Sequence, residues 1–300
     1  MRTRPWPRSG YLLLLGALLA ALGLLISPRV LGSRGVADLA VPLSLTIGGA
    51  GGLLILVAMV GLALAPGQSV AVARRSYGSH LTVIGLTLMA GVGTLAVLLP
   101  AVLTAPGARG PAMLGLLLLL STAVLDLLLV GITYFRVVRP GIITWADMGL
   151  SRRALSLAWR TGPPAALVLL LLAAAVELPL KALGVQQTQL DGLEWVRAVP
   201  FWLYLLVAFA AAVLAPIAEE IYFRGYVFRA YLDQKGPLQA YVFSSLLFAL
   251  VHLNLPAVLP IFVMGLFLAF LYRRSGSILP GMVAHAVNNA VAFAILYFGT

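Results

Sequence analysis

The stretch AEEIYFRGYVFRAYL, residues 218–232, places two adjacent carboxylates, Glu219 and Glu220, at the end of an apolar run. The whole sequence has only nine acidic residues, so two side by side are a notable concentration of charge. Charged side chains are costly where lipid is the solvent, and those that are kept there usually have a function. The composition around this pair indicates that lipid is the solvent.

Hydrophobic residues make up 62% of the 300 residues and charged residues 10%, whereas soluble domains contain about 25% charged residues. Runs such as residues 113–135 and 165–180 reach or approach the roughly 20 residues that cross a bilayer. The sequence therefore predicts an all-α, polytopic membrane helix bundle of about eight or nine spans. Candidate spans lie near residues 11–31, 42–65, 81–104, 112–137, 163–183, 199–218, 238–254, 257–272 and 279–298.

The net charge is +11, which raises the question of a nucleic-acid partner. If the N-terminus is cytoplasmic, the cytoplasmic segments carry most of the arginines: Arg2, Arg4, Arg8, Arg74, Arg75, Arg136, Arg139, Arg152, Arg153, Arg160, Arg273 and Arg274. This asymmetry follows the positive-inside rule. We therefore expect a multi-pass protein of the cell (plasma) membrane with a cytoplasmic N-terminus and no nucleic-acid partner.

Three regions follow from the charge and hydropathy pattern. Residues 1–138 are predicted to form N-terminal transmembrane helices, beginning with an uncleaved first span, because no convincing cleavage site follows its apolar part. Residues 139–162 are predicted to form a cytoplasmic connector that contains a short amphipathic helix on the membrane surface. Residues 163–300 are predicted to form the C-terminal core, with all unusual polar clusters within residues 200–298. The sequence has no cysteine, which excludes disulfides, thiolate metal sites and a Cys nucleophile.

The first polar cluster is EEIYFR, residues 219–224. Glu220 and Arg224 are four residues apart, so they share a helix face and can pair. Glu219 lies about 100° around the helix from Glu220 and is not the natural partner of Arg224. The spacing therefore predicts a structural role for Glu220 with Arg224 and leaves Glu219 for chemistry.

The other two clusters contain histidines. In FALVH, residues 248–252, Phe248 and His252 share a helix face, which lets the ring cover the imidazole. In HAVNN, residues 285–289, His285 and Asn289 share a face one turn apart, and Asn288 is a weaker candidate for that face. Each cluster alone is compatible with an interfacial anchor or an interhelical hydrogen bond. Their occurrence together in one half of an apolar chain favours a functional site.

The ordered set EExxxR, FxxxH and HxxxN inside hydrophobic helices resembles the CPBP family of intramembrane proteases. That family includes the CAAX prenyl endopeptidases and the bacteriocin-processing and self-immunity proteins (the ABI family). The resemblance covers roughly residues 200–298. It implies an intramembrane active-site cavity and a membrane-associated or prenylated peptide substrate.

The resemblance also assigns roles. It implies that Glu219 and His252 activate water and that His285 and Asn289 stabilise the oxyanion. We also expect hydrolysis without a metal cofactor, because no two candidate ligands lie one turn apart on a single helix, as they do in HExxH. Glu220, Arg224 and Phe248 would then support the site structurally. These roles suit the side chains, because amide hydrolysis needs a base for water and hydrogen-bond donors for the developing oxyanion.

Two alternatives remain open from the residues alone. Glu219, His252 and His285 could ligate Zn²⁺, as in an intramembrane metalloprotease with one open coordination position. The second alternative is a membrane transporter or scaffold in which the polar clusters relay protons or bind an ion. A relay does not need a His and an Asn one turn apart, so the spacing favours the protease.

The predicted topology separates the two histidines of the candidate site. If the helices are simple spans, His252 lies toward the outer end of one helix and His285 near the inner end of another. The two can meet only where helices are broken, tilted or unequal around a water-filled cavity. Pro256 and Pro260, just after His252, would permit such a break.

Overall fold

The computed structural model describes residues 19, 82–91, 94, 110–182, 184–185, 193–252 and 254–299. These residues form helices and no strand, which confirms the predicted all-α class. The helices are α1 (Thr82–Gly91), α2 (Pro111–Val138), α3 (Arg152–Ala182), α4 (Phe201–Lys235), α5 (Pro237–Leu250), α6 (Leu255–Ser275) and α7 (Leu279–Phe298).

Five of these helices, α2, α3, α4, α6 and α7, are long and apolar enough to cross a membrane. The chain is therefore an integral membrane protein. The spans predicted near residues 11–31 and 42–65 fall almost entirely outside the described residues, and the span near 81–104 is described only in part. A total of eight or nine spans stays a prediction.

Helix α4 is longer than the sequence pattern indicates. The predicted span near residues 199–218 stops where the charges of EEIYFR begin, but the helix continues to Lys235 over 35 residues. The predicted end near 218 is wrong because these charges are buried inside the protein. Two segments of α4, Ala210–Leu214 and Glu220–Phe228, have the wider turns of a π-helix, a geometry that is frequent at functional sites.

The predicted connector at 139–162 is divided differently in the structure. Residues 152–162 belong to α3, and the prediction of a separate surface helix is wrong. The physical reason is a continuous buried face along α3, which holds neighbouring turns against one surface. That face consists of Ala154, Ala158, Gly162, Ala165, Ala166, Leu169 and Leu172.

Residues 139–151 dock onto the turn between α6 and α7. The backbone N–H of Ile278 donates to Met148 O over 3.1 Å, and Ser277 Oγ donates to Gly149 O over 2.8 Å. Gly149 has a φ of +81°, and a Cβ there would lie 2.4 Å from Gly276 O. This close approach requires glycine, so Gly149 allows residues 139–151 to pack against the turn between α6 and α7.

Helix α7 packs along α3, and α5 packs along α6. At one crossing, a Cβ on Gly162 would lie 2.5 Å from Val283 Cγ1, so the missing side chain lets α3 and α7 approach closely. Apolar side chains on the outer faces of α2 and α4 are exposed, as expected for surfaces that contact lipid. They include Leu116, Leu120, Leu127, Trp202, Leu205 and Phe209.

Candidate active site

The two carboxylates and the arginine of the first polar cluster, EEIYFR, lie inside the helix bundle. Glu219, Glu220 and Arg224 are 7%, 0% and 1% exposed. A buried charge is strongly unfavourable unless it is paired and hydrogen-bonded. The contacts of these three side chains therefore show how each buried charge is stabilised.

Glu220 and Arg224 form an ion pair of 2.8 Å between Oε1 and Nη1, which confirms the predicted pairing. The same guanidinium donates from Nη2 to Gly265 O on α6 over 3.1 Å. It also lies over the Phe248 ring, 4.5 Å from the centroid. Arg224 therefore ties α4 to α5 and α6 while it neutralises Glu220.

Gly281 on α7 makes room for Glu220. A Cβ at this position would lie 2.7 Å from Glu220 Oε2, a distance that real structures essentially never show. Gly281 precedes His285 by one helical turn. The absence of a side chain thus lets α7 bring His285 against the two carboxylates.

His285 lies between Glu219 and Glu220. Its Nε2 is 3.7 Å from Glu219 Oε2, and its Nδ1 is 3.7 Å from Glu220 Oε1. Both distances are longer than a direct hydrogen bond, but they keep both carboxylates in contact with the imidazole. His285 is 3% exposed, so this arrangement is enclosed by protein.

His252 caps the C-terminus of α5 with its own ring. Its Nδ1 is 2.8 Å from Phe248 O, one of the final carbonyls that a helix leaves without an internal partner. A carbonyl only accepts, so Nδ1 carries the proton and Nε2 keeps its lone pair. The structure therefore leaves His252 with a nitrogen that can accept a proton from water.

Asn289 on α7 is fixed at both ends of its carboxamide. Nδ2 donates to Ala211 O on α4 over 3.0 Å, and Oδ1 accepts from Asn288 Nδ2 over 3.2 Å. Because Nδ2 carries two hydrogens, one N–H of Asn289 is left for a further acceptor.

The two histidines and Asn289 line one cavity of about 180 Å³. The rest of the lining is Leu193, Phe248, Asn254, Ile261, Met264, Ala292 and Phe293. Phe248 contacts both imidazoles edge-on, with ring centroids 5.0 Å from His252 and 5.7 Å from His285. Glu219 is not part of this lining and meets the site through its contact with His285.

The short length of α5 removes the difficulty that the predicted topology contains. This helix has 14 residues, or about 21 Å at 1.5 Å per residue, which is less than the roughly 30 Å of a bilayer core. The chain turns back after His252, and Leu255–Ala257 form the first turn of α6. His252 consequently lines the same cavity as His285.

One expected proximity differs from the structure. The resemblance pairs Glu219 with His252, whereas in the described part of the chain Glu219 Oε2 lies 3.7 Å from His285 Nε2. In that same part, no group of three or more His, Cys, Asp and Glu side chains has a geometry that could hold a metal ion. The ligand set of the zinc alternative, Glu219, His252 and His285, is thus not assembled there. Catalysis without a metal stays a prediction.

Several residues of the site escaped the sequence-based prediction. Gly281, His285 and Asn289 recur at intervals of four, so the spacing alone could have indicated that Gly281 shares the face of the site. Asn288 carried a weaker signal, because it lies three residues from His285. Nothing in the pattern distinguishes Ala211, whose contribution comes from a backbone carbonyl.

Residues 200–291 match the protein family described as Rce1-like, type II CAAX prenyl endopeptidase. This range contains all three motifs, which confirms the family resemblance over this part of the chain. The remaining residues lie outside the match.

Two curated relatives also match. A Bacillus subtilis (strain 168) protein that is named as a candidate membrane peptidase, YdiL, is 34% identical over 97 residues, which are 32% of this chain and 38% of the relative. The UPF0177 protein YxdF of Lactococcus lactis subsp. lactis (strain IL1403) is 28% identical over 78 residues, which are 26% of this chain and 42% of the relative. The chain thus spans about two fifths of the length of each relative. No solved structure matches the chain.

Proposed function

We propose that this chain is an intramembrane endopeptidase of the CAAX type, which hydrolyses peptide bonds of membrane-associated substrates. The observation that carries the proposal is the single cavity shared by His252, His285 and Asn289, with Glu219 3.7 Å from His285. The site combines carboxylate and imidazole bases with N–H donors, and amide hydrolysis needs both kinds of group.

In the proposed reaction, Glu219 and His252 activate a water molecule. His252 Nε2 accepts a hydrogen bond from the water and orients it, while the Glu219 carboxylate takes up one of its protons by way of the His285 imidazole, 3.7 Å away. The water oxygen then forms a bond to the carbonyl carbon of the substrate. The electron pair of the carbonyl double bond moves onto its oxygen and creates an oxyanion.

Asn289 and His285 stabilise that oxyanion in the proposal. The second N–H of Asn289 Nδ2 and a ring N–H of His285 donate to the negatively charged oxygen. The C–N bond breaks when the oxyanion collapses, and the proton held by Glu219 passes to the leaving amine. The carboxylate is then restored for the next cycle.

The proposed substrate is a peptide attached to the membrane, with prenylated C-terminal peptides as the first class to test. Apolar side chains, among them Ile261, Met264 and Phe293, form part of the cavity wall. Such a wall suits a substrate that arrives from the bilayer.

The proposal is tested by assaying purified protein in lipid vesicles with a prenylated, internally quenched peptide. We expect the wild type to cleave it and Glu219→Gln to lose cleavage. Glu177→Gln is the matched control, because it removes another carboxylate from a spanning helix, α3, far along the sequence from the motifs. Equal cleavage by wild type and Glu219→Gln would refute the proposed role, as would a wild type that cleaves no membrane-associated peptide.

A further inference from the structure

The carboxamide of Asn289 has one orientation that satisfies both of its contacts. Ala211 O can only accept, so it must face Nδ2, and Asn289 Oδ1 then accepts from Asn288 Nδ2. Turning the amide by 180° would lose both hydrogen bonds. It would also turn the lone pairs of Oδ1 toward the position that Nδ2 now occupies.

The Ala211 carbonyl is available because of a local feature of α4. In a regular α-helix, the N–H of Ala215 would donate to Ala211 O. Here that N–H donates to Ala210 O, five residues back. In the same five-residue pattern, the donor to Ala211 O would be the N–H of residue 216. Pro216 has no N–H, so the carbonyl of Ala211 receives a hydrogen bond from Asn289 on α7 instead.

We propose that Pro216 and Asn288 are positioning residues that set the orientation of the Asn289 carboxamide. Pro216 acts by withholding a backbone donor from Ala211 O, and Asn288 acts by donating to Asn289 Oδ1. Together they keep the remaining N–H of Asn289 directed toward the cavity, where it meets the oxyanion. This inference rests on the proposed function, since orientation matters only if Asn289 donates to a reacting oxygen.

The test is Pro216→Ala, which returns an N–H that can compete for Ala211 O. We expect kcat to fall about fivefold to tenfold, the effect of about one net hydrogen bond on a rate, with KM unchanged. The melting temperature should not fall, because alanine is more favourable than proline inside a helix. Pro179→Ala, which removes a proline from α3, is the control and should leave kcat unchanged.

A double-mutant cycle separates positioning from a general structural effect. In an Asn289→Ala background, Pro216→Ala and Asn288→Ala should each cause no further loss of kcat, because the group that they orient is absent. Additive losses, or a wild-type kcat in Pro216→Ala alongside a defective Asn289→Ala, would overturn the inference and leave the proposed function standing.

A second measurement decides the inference if the wild type proves inactive on every peptide, in which case the proposed function fails first. A crystal structure of Pro216→Ala should show Asn289 Nδ2 displaced from Ala211 O. Retention of that hydrogen bond in the variant would contradict the proposed action of Pro216, whatever the activity.

Discussion

At the scale of single residues, Glu219 and Glu220 differ in what holds them. Glu220 is fully buried and is bound to Arg224, whereas Glu219 contacts His285 at the longer distance of 3.7 Å. A carboxylate paired this closely with a buried arginine contributes to structure. We propose that the carboxylate with the longer contact is the one that transfers protons.

Glu220→Gln should therefore lower the melting temperature strongly, because it leaves the buried guanidinium of Arg224 without its anion. Breaking a buried ion pair costs about 3–5 kcal/mol. Glu219→Gln, measured alongside, should melt close to the wild type. Thermal unfolding of both proteins in the same detergent checks this, and unchanged melting of Glu220→Gln would contradict the division of roles.

The spacing of four residues was enough to predict the Glu220–Arg224 pair from sequence, because neighbours on a helix face meet whatever surrounds them. The position of Glu219 was harder to predict. A regular helix directs it away from Glu220, yet both carboxylates reach nitrogens of His285. The wider turns of Glu220–Phe228 and the approach of α7 are tertiary features that spacing does not contain.

At the scale of helices, the site depends on how closely α7 approaches α4. Gly281 allows that approach, since any side chain there would meet the carboxylate of Glu220. His285 and Asn289 follow on the same face at one-turn intervals. One small residue thus sets the distance at which two catalytic candidates meet the first motif.

Gly281→Ala should consequently displace Glu220 and reduce both stability and cleavage. Forcing an extra methyl group into a packed interior typically costs about 1–3 kcal/mol. Gly131→Ala in α2 is the matched control, because no described atom lies within 4 Å of the Cβ it would gain. If Gly281→Ala melted and cleaved like the wild type, the close contact between α4 and α7 would not be essential.

At the scale of the whole molecule, the arrangement of α3 bears on orientation in the membrane. A helix of 31 residues separates Ser151, beside Arg152 and Arg153, from the segment that contains Ala198. If α3 crosses the bilayer once, these two exposed positions lie on opposite sides. The arginine distribution predicts that Ser151 is cytoplasmic.

Cysteine labelling tests this orientation cleanly, because the natural sequence has no cysteine. Ser151→Cys should resist a membrane-impermeant thiol reagent in intact cells and react after lysis. Ala198→Cys should react in intact cells. The reverse pattern would overturn the predicted topology and the cytoplasmic position of the N-terminus.

Hydropathy was sufficient to predict the helical class and the spans at α2 and α7 almost to their ends, because apolar length alone decides whether a helix crosses lipid. It placed the end of α4 too early, because the buried charges of EEIYFR have the composition of a helix end at the membrane surface. It also treated residues 238–254 as a full span, whereas α5 stops at Leu250. That early stop brings His252 to His285, and only the packed structure reveals it.

Cleavage of the membrane-bound peptide by purified protein after exhaustive chelation tests directly whether the four polar residues hydrolyse a peptide without a metal. We expect wild-type kcat to survive chelation and Asn289→Ala to lower kcat by about 10²–10³, the usual cost of one oxyanion donor. Stoichiometric zinc in the purified protein, with activity lost on chelation and restored by Zn²⁺, would contradict this expectation and establish Glu219, His252 and His285 as candidate metal ligands.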